Sequence, residues 1–201
     1  FHLQLDLALV SKVVAAACVA LCNLTLRRLG ISASSARVLT ILYGFGTVLF
    51  WSASYGNSWV YAHLCANLFL WLALAEATGK QRGFAIAGWF CLAILSREAL
   101  VVAAPAILAL LLRRPGVPAR LGWAALAVTL LAGADMAFNQ ARFGNPFDGG
   151  YGAGNAAWGA IHGGYQFGPF SLHHLIRMLP AYLWRGPDFS SGSPHWSVTD
   201  H

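Results

Sequence analysis

The chain has 201 residues, of which 58% are apolar and only 10% charged, and its mean hydropathy is +0.59. Soluble domains carry about 25% charged residues, so this composition excludes an ordinary soluble fold and calls for a multi-span membrane protein. The net charge of +6 does not indicate a nucleic-acid partner, because Lys and Arg fall in short clusters between apolar runs, as in cytoplasmic loops.

Segment A, from about Leu5 to Leu26, is the first of several windows of about 20 residues with almost no charge, the length needed to cross a hydrocarbon core about 30 Å thick. Its Lys12 is costly inside a span unless it snorkels to the interface or faces a polar cavity. After Arg27, Arg28 and Arg37, segment B covers about Val38 to Ala53, with Gly44 and Gly46 permitting close helix contact. The uncharged turn Ser54 to Ser58 leads into segment C, about Trp59 to Ala77, and Trp51 and Trp59 flank that turn as an interfacial aromatic belt.

Beyond Lys80 and Arg82, an apolar run from Phe84 to Leu112 is interrupted only by Ser96, Arg97 and Glu98. As one straight helix it would reach about 43 Å, too long for the bilayer core. The positive-inside rule also requires Arg27/Arg28/Arg37, Lys80/Arg82 and Arg113/Arg114/Arg120 on one side, which a single crossing forbids. Two short membrane helices meeting at Arg97-Glu98 are therefore expected, D1 (about Phe84 to Leu95) and D2 (about Ala99 to Leu112), with a kink at Pro105. Their junction would lie below the outer surface and line a watery or protein-lined cavity.

Segment E, about Leu121 to Phe138, crosses outward. The expected architecture is all-α: a polytopic transmembrane bundle over residues 1–138 with about six membrane helices, two of them short. An extracytoplasmic region over 139–201 follows, containing an amphipathic helix from Ser171 to Arg185 and a loop from Gly186 onward.

Ionisable groups in such a chain carry the functional hypotheses, because they are costly within spans. Asp135, Asn139 and Arg142 are spaced i, i+4, i+7, on one face at the outer end of segment E. That face suits a polar or phosphorylated ligand; the plainer alternative is that Asp135 pairs with Arg142 or a neighbouring helix. Arg97 offers a bidentate fork for phosphate, and Glu98 a carboxylate for Arg97, Lys12 or a substrate. Otherwise the two simply cap helix ends, Glu98 at the N-terminus of D2.

The remaining candidates favour structural roles. His173 and His174 are helix neighbours that point apart, and His162, His195 and His201 lack partner spacing for a metal. His63 is expected to bond a neighbouring helix. Cys18, Cys22, Cys65 and Cys91 lie in apolar segments without a CxxC, as small packing residues. The sequon at Asn23 falls at the cytoplasmic end of a span, and no nucleotide-binding, nucleophile-elbow or zinc-protease motif occurs. No metal site is expected in this chain.

In order, Leu29-Gly-Ile-Ser, Tyr43-Gly-Phe-Gly-Thr47, Ala93-Ile-Leu-Ser-Arg97-Glu98 and Asn139-Gln-Ala-Arg-Phe-Gly-Asn-Pro-Phe-Asp-Gly-Gly-Tyr151 resemble the middle of bacterial membrane glycosyltransferases of the GT-C superfamily. Those enzymes are relatives of the protein O-mannosyltransferase and aminoarabinose-transferase families, and the likeness covers about Leu26 to Tyr151. It implies an inner-membrane enzyme of the cell envelope that moves a sugar from a polyprenyl-phosphate donor to an acceptor on the extracytoplasmic face. Arg97 would then lie near the donor phosphate and the Arg142 to Pro146 loop near the cavity mouth. With Glu98, Asn139 and Tyr151, these residues form the substrate-binding set.

The chain departs from that pattern at its start. The family's catalytic carboxylate lies in a first extracytoplasmic loop, whereas here Phe1 to Asp6 lead directly into segment A. A central fragment is the expectation, with Asp135 as the local candidate for the base and any divalent cation held by carboxylates upstream. A multi-span transporter and a non-catalytic membrane scaffold or remnant are the alternatives, the former because broken helices with internal charges also mark transport sites.

Overall fold

The computed structural model describes residues 7–55, 58–112, 116–147, 188–189 and 196–197. In chain order these form α1 (Leu7–Arg28), α2 (Ala33–Phe45), α3 (Val48–Tyr55), α4 (Ser58–Thr78), α5 (Gly83–Ser96), a 3-10 helix (Glu98–Ala103), α6 (Ala104–Leu112) and α7 (Val117–Phe143). A two-residue antiparallel pair, Asp188–Phe189 with Trp196–Ser197, lies in the stretch expected to be loop. The chain divides into two units, Phe1–Asp135 and Met136–His201.

The helical expectation holds, with fewer spans established than the six expected. α1, α4 and α7 are long and apolar enough to cross a membrane, and α2 with α3 makes a fourth if that bent pair is one span. α5 has 14 residues and so reaches only about 21 Å.

Within the first unit α4 is the hub, touching α1, α3, α5 and α6. Its buried Ala66, Ala73, Ala75 and Ala77 admit close approach, as small residues do between membrane helices. One core cluster joins Ala15 and Cys18 of α1, Leu49 and Ala53 of α3, and Leu64 of α4. A second joins Ala73 and Ala77 of α4, Ile86 and Phe90 of α5, and Ile107 and Leu111 of α6. Ala87 of α5 packs on Ala124 and Ala127 of α7.

Segment B is not one helix. α2 begins before Val38, because Ser32 caps it by accepting the Ser35 amide at 3.2 Å, and Arg37 therefore lies inside the helix. α2 stops at Phe45, and α3 restarts at a 51° bend. Thr47 serves both ends of the break: its hydroxyl donates to the Tyr43 carbonyl at 2.7 Å and accepts from the Leu49 amide at 3.2 Å. Hydropathy does not register a hydroxyl that satisfies the backbone groups freed at a break.

The run from Phe84 to Leu112 breaks where the charges fall. Arg97 is extended, at φ −153 and ψ 106, and the chain re-enters through the 3-10 helix. Pro105 is the second residue of α6, where the 3-10 helix gives way to α-helix. Because Leu111 shares a cluster with Ala77 and Ile86, α6 returns to the end at which α5 began.

Basic residues gather at that end. Arg28 donates to the Ala75 carbonyl at 2.5 Å, joining the Thr78 hydroxyl at 3.3 Å on that C-terminal carbonyl of α4. Gln81, in the left-handed region at φ 57, accepts from Arg120 and donates to the Ala77 carbonyl at 2.9 Å. Gly83 lies so close to α7 that a Cβ there would stand 2.1 Å from the Arg120 carbonyl oxygen. Arg82 grips Glu76 through Nε at 2.9 Å and Nη2 at 2.8 Å, and that carboxylate raises the guanidinium pKa above its ordinary value. Arg113 and Arg114 lie outside the described residues.

α7 continues past Phe138 to Phe143, so Asn139 to Phe143 are helical rather than loop. Gly144, at φ +73, ends it, its amide bonding the Gln140 carbonyl at 3.0 Å. Next, the Phe147 amide bonds the Asn145 side chain at 3.0 Å, a turn across Pro146.

Candidate functional site

At the end of the first unit opposite the arginine cluster, α5 terminates beside the start of α4. Three features hold Arg97 there. Its extended backbone turns the chain out of α5, Nη2 donates to the Trp59 carbonyl at 2.6 Å, and the guanidinium lies over the Trp59 ring, 4.8 Å from its centre. The ring-face contact is a cation–π interaction, stronger where water is excluded. His63 packs edge-on against the same ring at 4.8 Å, one turn along α4, rather than bonding another helix as expected. The Nε of Arg97 is buried without a hydrogen-bond partner.

That arrangement is a fixed cation with a donor to spare. Arg97 is only half-buried as a whole, so the remaining N–H groups of its guanidinium can meet an anion. Phosphate suits a guanidinium, whose planar fork matches two of its oxygens. Trp59 is 63% exposed, so it also offers apolar area beside the cation.

Glu98 heads the 3-10 helix and is exposed. Among the described residues no hydrogen bond or ion pair joins it to Arg97 or Lys12; it stands at a helix N-terminus, where a carboxylate is favoured. Asp135, half-buried, ends the first unit. Within the second unit Asn139 is 8% exposed, while Arg142 is exposed and lies over the rings of Phe138 and Phe143, at 5.9 and 5.0 Å. Tyr151, the other histidines of the C-terminal region and the stretch Ser171 to Arg185 lie outside the described residues.

The sequence pointed to Arg97 and missed its partner. Trp59 reads as an interfacial anchor, and 38 residues separate the two, so no local spacing connects them. The discounted residues have structural work: Asn23 donates to the Thr40 hydroxyl at 3.2 Å, joining α1 to α2, and Cys18 and Cys22 are buried with free thiols. Among the described residues no group of three or more His, Cys, Asp or Glu could hold a metal ion. No protein-family model, curated protein or solved structure matches the chain.

Proposed function

We propose that the chain forms part of a membrane glycosyltransferase of the GT-C type, in which Arg97 receives the phosphate of a polyprenyl-linked sugar donor. The observation supporting this reading is the guanidinium pinned between the Trp59 ring and carbonyl with Nε unfilled. In the transfer, the bond between the sugar's anomeric carbon and the phosphate oxygen breaks, and a bond to the acceptor oxygen or nitrogen forms. The acceptor's proton passes to a carboxylate, either Asp135 or an acidic residue outside these 201. Arg97 offsets the negative charge that grows on the leaving phosphate.

In this reading six helices lie in the membrane, α5 and α6 forming a short pair. The arginine-rich end faces the cytoplasm, and Arg97, together with Asn139 to His201, faces the extracytoplasmic side of a bacterial inner membrane. Glu98, Asn139, Arg142 and Tyr151 complete the proposed set of substrate-binding residues. The partners are the bilayer and the lipid-linked sugar, and nucleic acid is not among them.

A second reading, transport, draws on the breaks at Thr47 and Arg97, since discontinuous helices form transporter binding sites. Membranes containing the full-length protein and a labelled polyprenyl-phosphate sugar separate the two. Transfer to endogenous acceptor is expected, with Arg97→Ala lowering it about 100- to 1000-fold, as losing one charge-stabilising donor does. Trp59→Leu should produce an intermediate loss while the protein stays folded. Unchanged transfer in Arg97→Ala, or uptake of substrate without transfer, would defeat the proposal.

A further inference from the structure

We infer that the groove between α1, α2 and α3 holds one anionic phospholipid, an acyl chain lying in the groove and the headgroup phosphate on Lys12. The groove encloses about 430 Å³ and is lined by Ala16, Val19, Gly44, Phe50 and Ala53, with Lys12 at its wall. That volume falls within the ~300–1,000 Å³ of small-ligand pockets. The bend of the α2–α3 pair shapes it, and there Phe45 and Phe50 lie ring to ring at 5.7 Å.

Lys12 gives the groove its selectivity. It is exposed, lies inside an apolar helix and has no carboxylate partner among the described residues. An ammonium in that position is stabilised by an anion whose own hydrocarbon fills the groove, and an anionic phospholipid supplies both parts. A free anion has no chain to bury, and a zwitterionic lipid brings a competing ammonium. Lys12 stands 16 residues from Arg28, about 24 Å along α1, so the lipid belongs to the leaflet away from the arginine-rich end. A larger groove between α5 and α7, about 510 Å³, has Arg82 at its edge, but Glu76 already occupies that guanidinium. The inference rests on the chain spanning a bilayer and not on the glycosyltransferase reading.

Its test uses the full chain in nanodiscs of equal phosphatidylglycerol and phosphatidylcholine, with retained lipids identified by native mass spectrometry. One phosphatidylglycerol should be retained over phosphatidylcholine roughly fivefold, as one lysine against an anionic headgroup provides. Lys12→Gln should bring the two lipids to near parity, Lys12→Arg should keep the preference, and Ala16→Trp, which fills the groove, should lose the retained lipid of either class. Lys80→Gln, at the other end of the bundle, should change nothing. Equal retention by the wild type, or a preference that survives Lys12→Gln, overturns the inference, as does its loss in Lys12→Arg. Circular dichroism confirms that each variant is folded. Sugar transfer is not read here, so neither outcome bears on the proposed enzyme activity.

Discussion

At the scale of single residues, what distinguishes one glycine from another is the neighbour it faces. Gly83 and Gly88 both belong to α5, yet a Cβ at Gly83 would meet the Arg120 backbone at 2.1 Å, whereas at Gly88 nothing lies within 4 Å. Backbone cannot rotate away as a side chain can, so Gly83→Ala must push α5 from α7 and should destabilise by about 1–3 kcal/mol or more. Gly88→Ala should be neutral or stabilising, since alanine is the better helix former by about 1 kcal/mol. Thermal unfolding in detergent measures both, and equal behaviour of the two would contradict the close approach. The contrast between these glycines is not legible in the sequence, where Gly83 stands just before the apolar run that starts at Phe84 and Gly88 lies within it. Arg97 differs: a charge in the middle of an apolar stretch is conspicuous, although what holds it is not.

At the scale of elements, the break in the second apolar stretch turns on one hydroxyl. Thr47 bonds both the Tyr43 carbonyl and the Leu49 amide, so Thr47→Val, nearly the same shape, leaves both groups unfilled. A loss of about 1–2 kcal/mol is expected, the range for removing a helix-capping side chain, with Thr47→Ser recovering most of it. A serine variant as unstable as valine would mean that the methyl, not the hydroxyl, secures the bend. The break between α5 and α6 was foreseeable because length and charge both demanded it: about 43 Å of helix does not fit a core of about 30 Å. No such length argument applied to the stretch before Ser54, which is short enough for one straight helix.

At the scale of the whole molecule, α1, the α4–α5 connection and the start of α7 bring their basic residues to one end of the first unit, while α5 leads to Arg97 and Glu98 at the other. If the chain spans a bilayer with α5 crossing it, single cysteines at Lys80 and Glu98, both exposed, should react with impermeant reagent from opposite sides. Labelling of both from the same side would show α5 and α6 to be a pair that dips into one face only.

The amino-acid sequence by itself determined that the chain is helical and built for a membrane, and that the long apolar run must turn back at Arg97-Glu98. Those are consequences of hydropathy, helix rise and charge placement, all of which can be read along one dimension. Tertiary structure alone decided that Trp59 holds Arg97, that Gln81 meets Arg120, and that Lys12 borders a groove opened by a bent helix pair. Helices apolar on every side present no preferred face, so which surfaces meet is decided by small residues, backbone approach and single hydroxyls distributed across distant segments.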